Sequence, residues 1–151
     1  MKNTVVFIIA IALLNALSSC NTTSQKEIDD ELIVSYIADN QINAVKTDSG
    51  LYYQILEEGT GDFPTIVDDV SVHYEGKLLD GTVFDSNLDS EPNLFPLANL
   101  ILGWQEGLQL IQEEGKILLI VPSHLGYGSQ ALSGIPANSV LVFNVELLSV
   151  Q

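Results

Sequence analysis

VHYEGKLLDGTVFDS, running from Val72 to Ser86, reads as two strands and a tight turn. Val70, Val72 and Tyr74 alternate with Ser71, His73 and Glu75, the period-two pattern of a strand with one face buried. Asp80 and Gly81 are the residue pair favoured in a two-residue hairpin loop, and TVFDS returns as the next strand. The hairpin carries an anomaly. Asp85 follows Phe84 directly, a carboxylate at the end of an apolar strand with no nucleophile or metal cluster near it in sequence.

Working outward, LYYQILEEG from Leu51 is a strand that stops at the Gly-rich GTGD of Gly59 to Asp62. KILLIVP and SVLVFNVELLSV supply two more strands, and WQEGLQLIQ, between the hairpin and KILLIVP, has the spacing of a short helix. Strands grouped around one helix, without alternating βαβ units, predict an α+β domain. Upstream, Ser24 and Glu27 have the spacing of a capping box, and Glu27, Asp29, Asp30 and Glu31 place negative charge in the first turns. Ile28, Leu32, Ile33, Tyr36 and Ile37 then recur at helical spacing, which predicts a helix over 25–39 whose apolar stripe packs on the domain or on a partner.

The start of the chain has the marks of processing. Lys2 precedes an apolar run from Val5 to Leu14, a length that suits a signal-peptide core and falls short of the roughly 20 residues a spanning helix needs. The run closes on LSSC, with the chain's one cysteine at Cys20. LSSC resembles the bacterial lipobox, in which the Cys receives lipid and becomes the first residue; an ordinary secretory leader with a free Cys is the other reading. The expected division is a leader over 1–19, an anchor and spacer helix over 20–46, and the main domain over 47–151. The chain would then sit in a bacterial cell envelope, held at a membrane through Cys20 and facing the periplasm or the cell surface.

Charge narrows the partners. Five Lys, no Arg and twenty Asp plus Glu give a net charge of -15, so nucleic acid is excluded as a partner for want of a basic stripe to neutralise phosphates. His73 and His124 lie far apart and form no zinc motif; GxSxG, GxGxxG and Walker patterns are absent. No metal or cofactor is expected. Aromatic residues remain: Tyr74, Phe84, Trp104, Tyr127 and Phe143 fall near strand ends, a helix start and a loop. Each alone is more often core than site, but together with one carboxylate they suggest an apolar pocket with few polar groups.

VHYEGKLLDGTVFDS, then FPLANLILGWQEGLQLI from Phe95, then HLGYGSQALSGIPANSVLVFNVELL from His124 resemble the FKBP-type peptidyl-prolyl cis/trans isomerases over residues 47–151. The resemblance implies an isomerase domain built as an antiparallel sheet of about five strands curled over one short helix, in agreement with the α+β pattern above. Its proline pocket would have Trp104 as its floor and Tyr74, Phe84, Leu100, Ile101 and Phe143 as its walls. Phe84, Asp85 and Tyr127 would be its catalytic residues, with Asp85 at the rim facing the twisting imide and the Tyr127 hydroxyl bonding a substrate carbonyl. Ile135, in the loop after Tyr127, would cover the bound residue. Where the family often has an acid before the two aliphatics, this chain has Asn99. Proline-containing polypeptides are the implied substrates and assistance to protein folding the implied role; a non-catalytic module that holds a proline segment in an envelope assembly is the alternative.

Overall fold

The structure is a computed structural model that describes residues 23–151. The leader and Cys20 lie outside the described residues. The elements in chain order are α1 (Gln25–Asp39), β1 (Val45–Lys46), β2 (Tyr52–Glu57), β3 (Asp69–Leu78), β4 (Val83–Ser86), β5 (Asn93–Pro96), α2 (Leu102–Leu108), β6 (Lys116–Val121) and β7 (Leu141–Val150). All strand pairings are antiparallel, in the order β1-β2-β6-β7-β3-β4, with β5 also on β3. The five strands expected from the sequence are present, and the short β1 and β5 are added to them.

The long β3 organises one edge of the sheet. Its first half, Asp69 to Val72, pairs with β5, and its second half, Glu75 to Lys77, pairs with β4. Between them no strand among the described residues covers its edge. Asn87 fills that gap: its Oδ1 accepts the Tyr74 N–H (2.7 Å), its Nδ2 donates to the Val72 carbonyl (2.9 Å), and its own N–H donates to the Tyr74 carbonyl (3.1 Å). A buried side chain thus satisfies backbone groups that would otherwise stand unpaired.

The hairpin turn is one residue longer than expected. The Leu78 N–H donates to the Thr82 carbonyl (2.9 Å) and the Gly81 N–H to the Leu78 carbonyl (3.0 Å), so the loop is Leu79, Asp80 and Gly81. Gly81 lies at φ 88°, the left-handed position that a three-residue hairpin loop reserves for glycine. Asp80 favours this longer loop by accepting the Thr82 N–H (2.9 Å).

Alternation along β6 divides the core. Ile117, Leu119 and Val121 point to the concave face, where they meet Val70, Val72, Leu108, Leu141 and Phe143; Leu118 and Ile120 point the other way, to Ile33, Tyr52 and Val142. α2 lies close on the concave face, because Gly103 and Gly107 turn toward the Val121 and Leu119 side chains with no room for a Cβ. α1 covers the opposite face. The run KILLIV is therefore buried on both sides, as a continuous apolar strand requires.

α1 has the expected bounds and capping box, but not the expected buried stripe. Ile33 is fully buried, with Tyr36 and Ile37 packed beside it, while Ile28 and Leu32 are exposed. The position that turns inward in the first turns is Asp29, at 0% exposure. Residues 29, 33, 36 and 37 share one face; hydrogen bonding, not hydrophobicity, brings Asp29 into it.

Candidate active site

Opposite the α1 face, β3, β4, α2 and the loops around them enclose a cavity of about 490 Å3. Its lining includes Tyr74, Phe84, Asp85, Leu100, Ile101, Trp104, Tyr127 and Phe143. Eight of the sequence-derived site residues thus come together. Ile135 does not line it: it is buried in the core, in a loop closed by reciprocal Leu132–Ile135 backbone bonds (2.9 and 3.1 Å). That loop borders the cavity wall through Gly134, where a Cβ would stand 3.6 Å from that of Phe84.

Local structure explains each placement. Tyr74 is the last of the inward residues of β3 before Gly76, and Gly76 is where Phe84 and Phe143 pack across the strand. A Cβ at Gly76 would lie 2.7 Å from the Phe143 ring and 2.8 Å from the Phe84 ring. Leu100 and Ile101 lead into α2, held by Gln105, whose Nε2 donates to the carbonyls of Leu100 (2.7 Å) and Ala98 (3.1 Å). Trp104 follows in the first turn of α2.

Around Trp104 the rings stand edge to face. Tyr74 and Phe143 each meet it at 5.3 Å between centroids, near-perpendicular, and Phe84 meets Phe143 at 5.6 Å in the same way. This geometry matches positive ring edges to negative faces and fixes the walls. The Trp104 indole N–H is buried and finds no acceptor among the described residues.

The polar groups are few. Tyr74 donates its hydroxyl to Asp85 Oδ2 at 2.6 Å, a bond between two residues that line the cavity. Burial, and then the bond to Asp85, push the Tyr74 hydroxyl above the usual phenol range. Tyr127 is also pushed up, by burial first and by the Asp85 charge second. Both stay protonated donors at neutral pH. Asp85 itself is exposed, and it is the one acid among the residues that line the cavity.

Two lining residues escaped the sequence reading, Asn93 and Phe95, and a third, Asn99, entered it only as a departure from the family pattern. Phe95 packs on Tyr74 at 6.3 Å. A four-residue strand ending in Pro96 carries too little periodicity to reveal which way Phe95 points, although Phe95 opens the motif that contains Leu100, Ile101 and Trp104.

A family model described as FKBP-type peptidyl-prolyl cis-trans isomerase matches residues 61–148. The chain belongs to that family. It is 51% identical over 106 residues to the FKBP-type peptidyl-prolyl cis-trans isomerase FkpA of Aeromonas hydrophila, which covers 70% of this chain and 40% of the relative. The FkpA of Escherichia coli K12 is 50% identical over 109 residues, covering 71% of this chain and 40% of the relative. The chain thus spans about two fifths of the length of these FKBP-type relatives. Among solved structures, the crystal structure of Escherichia coli FkpA superposes with a TM-score of 0.72 at 38% identity, over 84% of this chain and 62% of that one. A peptidyl-prolyl cis-trans isomerase from Pseudomonas syringae pv. tomato aligns at 0.71 and 30% identity, over 86% of this chain and 98% of that one. The family fold and the α+β architecture read from the sequence therefore agree.

Proposed function

We propose that the chain is a peptidyl-prolyl cis/trans isomerase that acts on proline-containing polypeptides and assists their folding in the bacterial cell envelope. One observation carries the reading: an aromatic-walled cavity with a single hydrogen-bonded carboxylate at its mouth. Family membership supports it.

The chemistry asks for little more than this cavity. Rotation about an X–Pro bond breaks no σ bond, and its barrier of roughly 18 to 20 kcal/mol is lost amide resonance. A twisted imide carries less charge separation than a planar one, so a dry apolar cavity disfavours the planar ground state more than the transition state. In this proposal Trp104 is the floor under the pyrrolidine ring, with Tyr74, Phe84, Leu100, Ile101 and Phe143 around it. Asp85 acts on the altered charge at the twisting carbonyl and orients Tyr74, a preorganised electrostatic effect without proton transfer. Tyr127 donates to a substrate carbonyl, and the loop that holds Ile135 flanks the bound residue beside Phe84. A millionfold acceleration needs about 8 kcal/mol. Desolvation, ring binding and one carboxylate together reach that range without a covalent intermediate.

For location we infer a lipid anchor on Cys20 after removal of residues 1–19, followed by a spacer over 20–46 and the isomerase domain over 47–151. The support is sequence: LSSC at the end of a signal-length apolar run. Among the described residues no helix is long and apolar enough to cross a membrane.

A protease-free assay, following cis/trans exchange of a proline peptide by NMR, tests the activity. Exchange accelerated in proportion to protein concentration is the expected result. Peptide binding with exchange at the uncatalysed rate would reduce the cavity to a binding site and overturn the enzyme reading.

A further inference from the structure

We propose that Asp29, on the helix at the far side of the sheet from the cavity, is a positioning residue for Tyr127. The inference rests on the reading of Tyr127 as a substrate-binding hydroxyl given above. Asp29 is 0% exposed, yet among the described residues no cation pairs with it. Its Oδ2 accepts both the backbone N–H (2.8 Å) and the Oγ–H (2.6 Å) of Ser123, and its Oδ1 accepts the Gln25 Nε2 (2.7 Å). Burying a carboxylate is costly, and an apolar side chain at a helix-to-sheet contact would stabilise the same interface at lower cost. What a leucine there could not do is hold Ser123 from two donors at once.

Ser123 is the residue from which Tyr127 hangs. Its carbonyl accepts the Gly126 N–H (3.0 Å) and the Gly128 N–H (2.8 Å), the two residues that flank Tyr127. Gly126 and Gly128 give the segment wide backbone freedom, and Gly128 uses it, at φ 58°. Tyr127 is 36% exposed, so core packing alone does not fix it. One continuous chain of hydrogen bonds therefore runs from Asp29 through both sides of Ser123 to the amides around Tyr127. Its effect is to meet the ordering cost of that hydroxyl before substrate arrives. The spacer helix thereby becomes part of the site without touching it.

The test uses the whole chain and two readouts, NMR exchange kinetics on a proline peptide and hydrogen exchange at single amides. Asp29→Ala should raise KM by about three- to tenfold with kcat within about twofold, and in a Tyr127→Phe background it should change kcat/KM by less than about twofold. Asp29→Asn, whose amide oxygen can still accept from Ser123 while Gln25 turns its carbonyl to the new amide, should restore KM. Gly126 and Gly128 amides should exchange about tenfold faster or more in Asp29→Ala, with the amides of Ile117 and Leu119 unchanged. Equal loss of kcat/KM with and without the Tyr127 hydroxyl would overturn the proposal and leave Asp29 a stability residue. Should Asp29→Ala fail to fold, Ser123→Ala, which keeps the backbone bond to Asp29, decides by the same criteria. Should the wild type prove inactive, the enzyme reading fails separately, and unchanged Gly126 and Gly128 exchange would overturn the positioning role on its own.

Discussion

Gly76 is the residue on which the walls of the cavity depend. Phe84 and Phe143 occupy the space where a Cβ would be, at 2.8 and 2.7 Å. In Gly76→Ala the loss of unfolded-chain entropy favours folding by at most about 1 kcal/mol, while overpacking two fixed rings costs about 1 to 3. We expect a net loss of about 1 to 2 kcal/mol in denaturant unfolding together with a fall in kcat/KM; a stabilised, fully active variant would mean the rings move freely. The buried phenols give a pH signature. Because the Tyr74 and Tyr127 hydroxyls are raised above the ordinary value, the folded chain resists their ionisation and the unfolded chain does not. Their contribution to stability is then complete below about pH 10 and is lost as pH climbs above it. Thermal scans from pH 8 to 12 should show Tm falling in the upper half of that range, less steeply in Tyr74→Phe; identical curves for the two chains would contradict the assignment. Asn87 illustrates what the sequence could not disclose: nothing in FDSN distinguishes an asparagine in a surface turn from one that fills the edge of β3.

At the scale of elements, strands were legible because period-two alternation reports burial directly, whereas the cavity lining was legible through the motifs that resemble the family, aromatic placement alone only suggesting a pocket. VHYEGKLLDGTVFDS alone marks β3, β4 and three of the lining residues, Tyr74, Phe84 and Asp85. α1 was legible in extent, since caps and bounds are local, but not in orientation. Its inward face includes a carboxylate whose partner, Ser123, lies 94 residues along the chain, and no periodicity encodes such a bond. β1 and β5 are too short to carry a pattern. The Lys46–Asp30 ion pair joins α1 to β1 but is about half exposed, and surface pairs contribute roughly 0 to 1 kcal/mol. The Ile33 contact and the Asp29–Ser123 bonds therefore decide how much α1 matters. We expect a chain beginning at Lys46 to unfold cooperatively but with Tm lower by about 10 to 20 °C, since it exposes Leu118, Ile120 and Val142 and leaves Ser123 unpaired. Absence of a cooperative transition would make α1 an integral part of the folding unit and would set aside the division at residue 47.

For the whole molecule, a net charge of -15 argues against electrostatic attachment to anionic lipid, so membrane association would depend on Cys20. Cys20→Ser should move the protein into the soluble fraction, and an unchanged membrane fraction would contradict the anchor. The central claim concerns the cavity: that exclusion of water by aromatic walls supplies the larger share of catalysis and that Asp85 adds an electrostatic part. The most direct test is kcat/KM from protease-free NMR exchange on one proline peptide, compared among wild type, Asp85→Leu, Phe84→Ala and Phe143→Ala, with folding checked for each. The account predicts a loss of about ten- to a hundredfold for Asp85→Leu, roughly 1.4 to 2.7 kcal/mol, and at least as much for each Phe→Ala. Abolished activity in Asp85→Leu, with both Phe→Ala variants near wild type and all three folded, would contradict the desolvation mechanism and give Asp85 a direct chemical role.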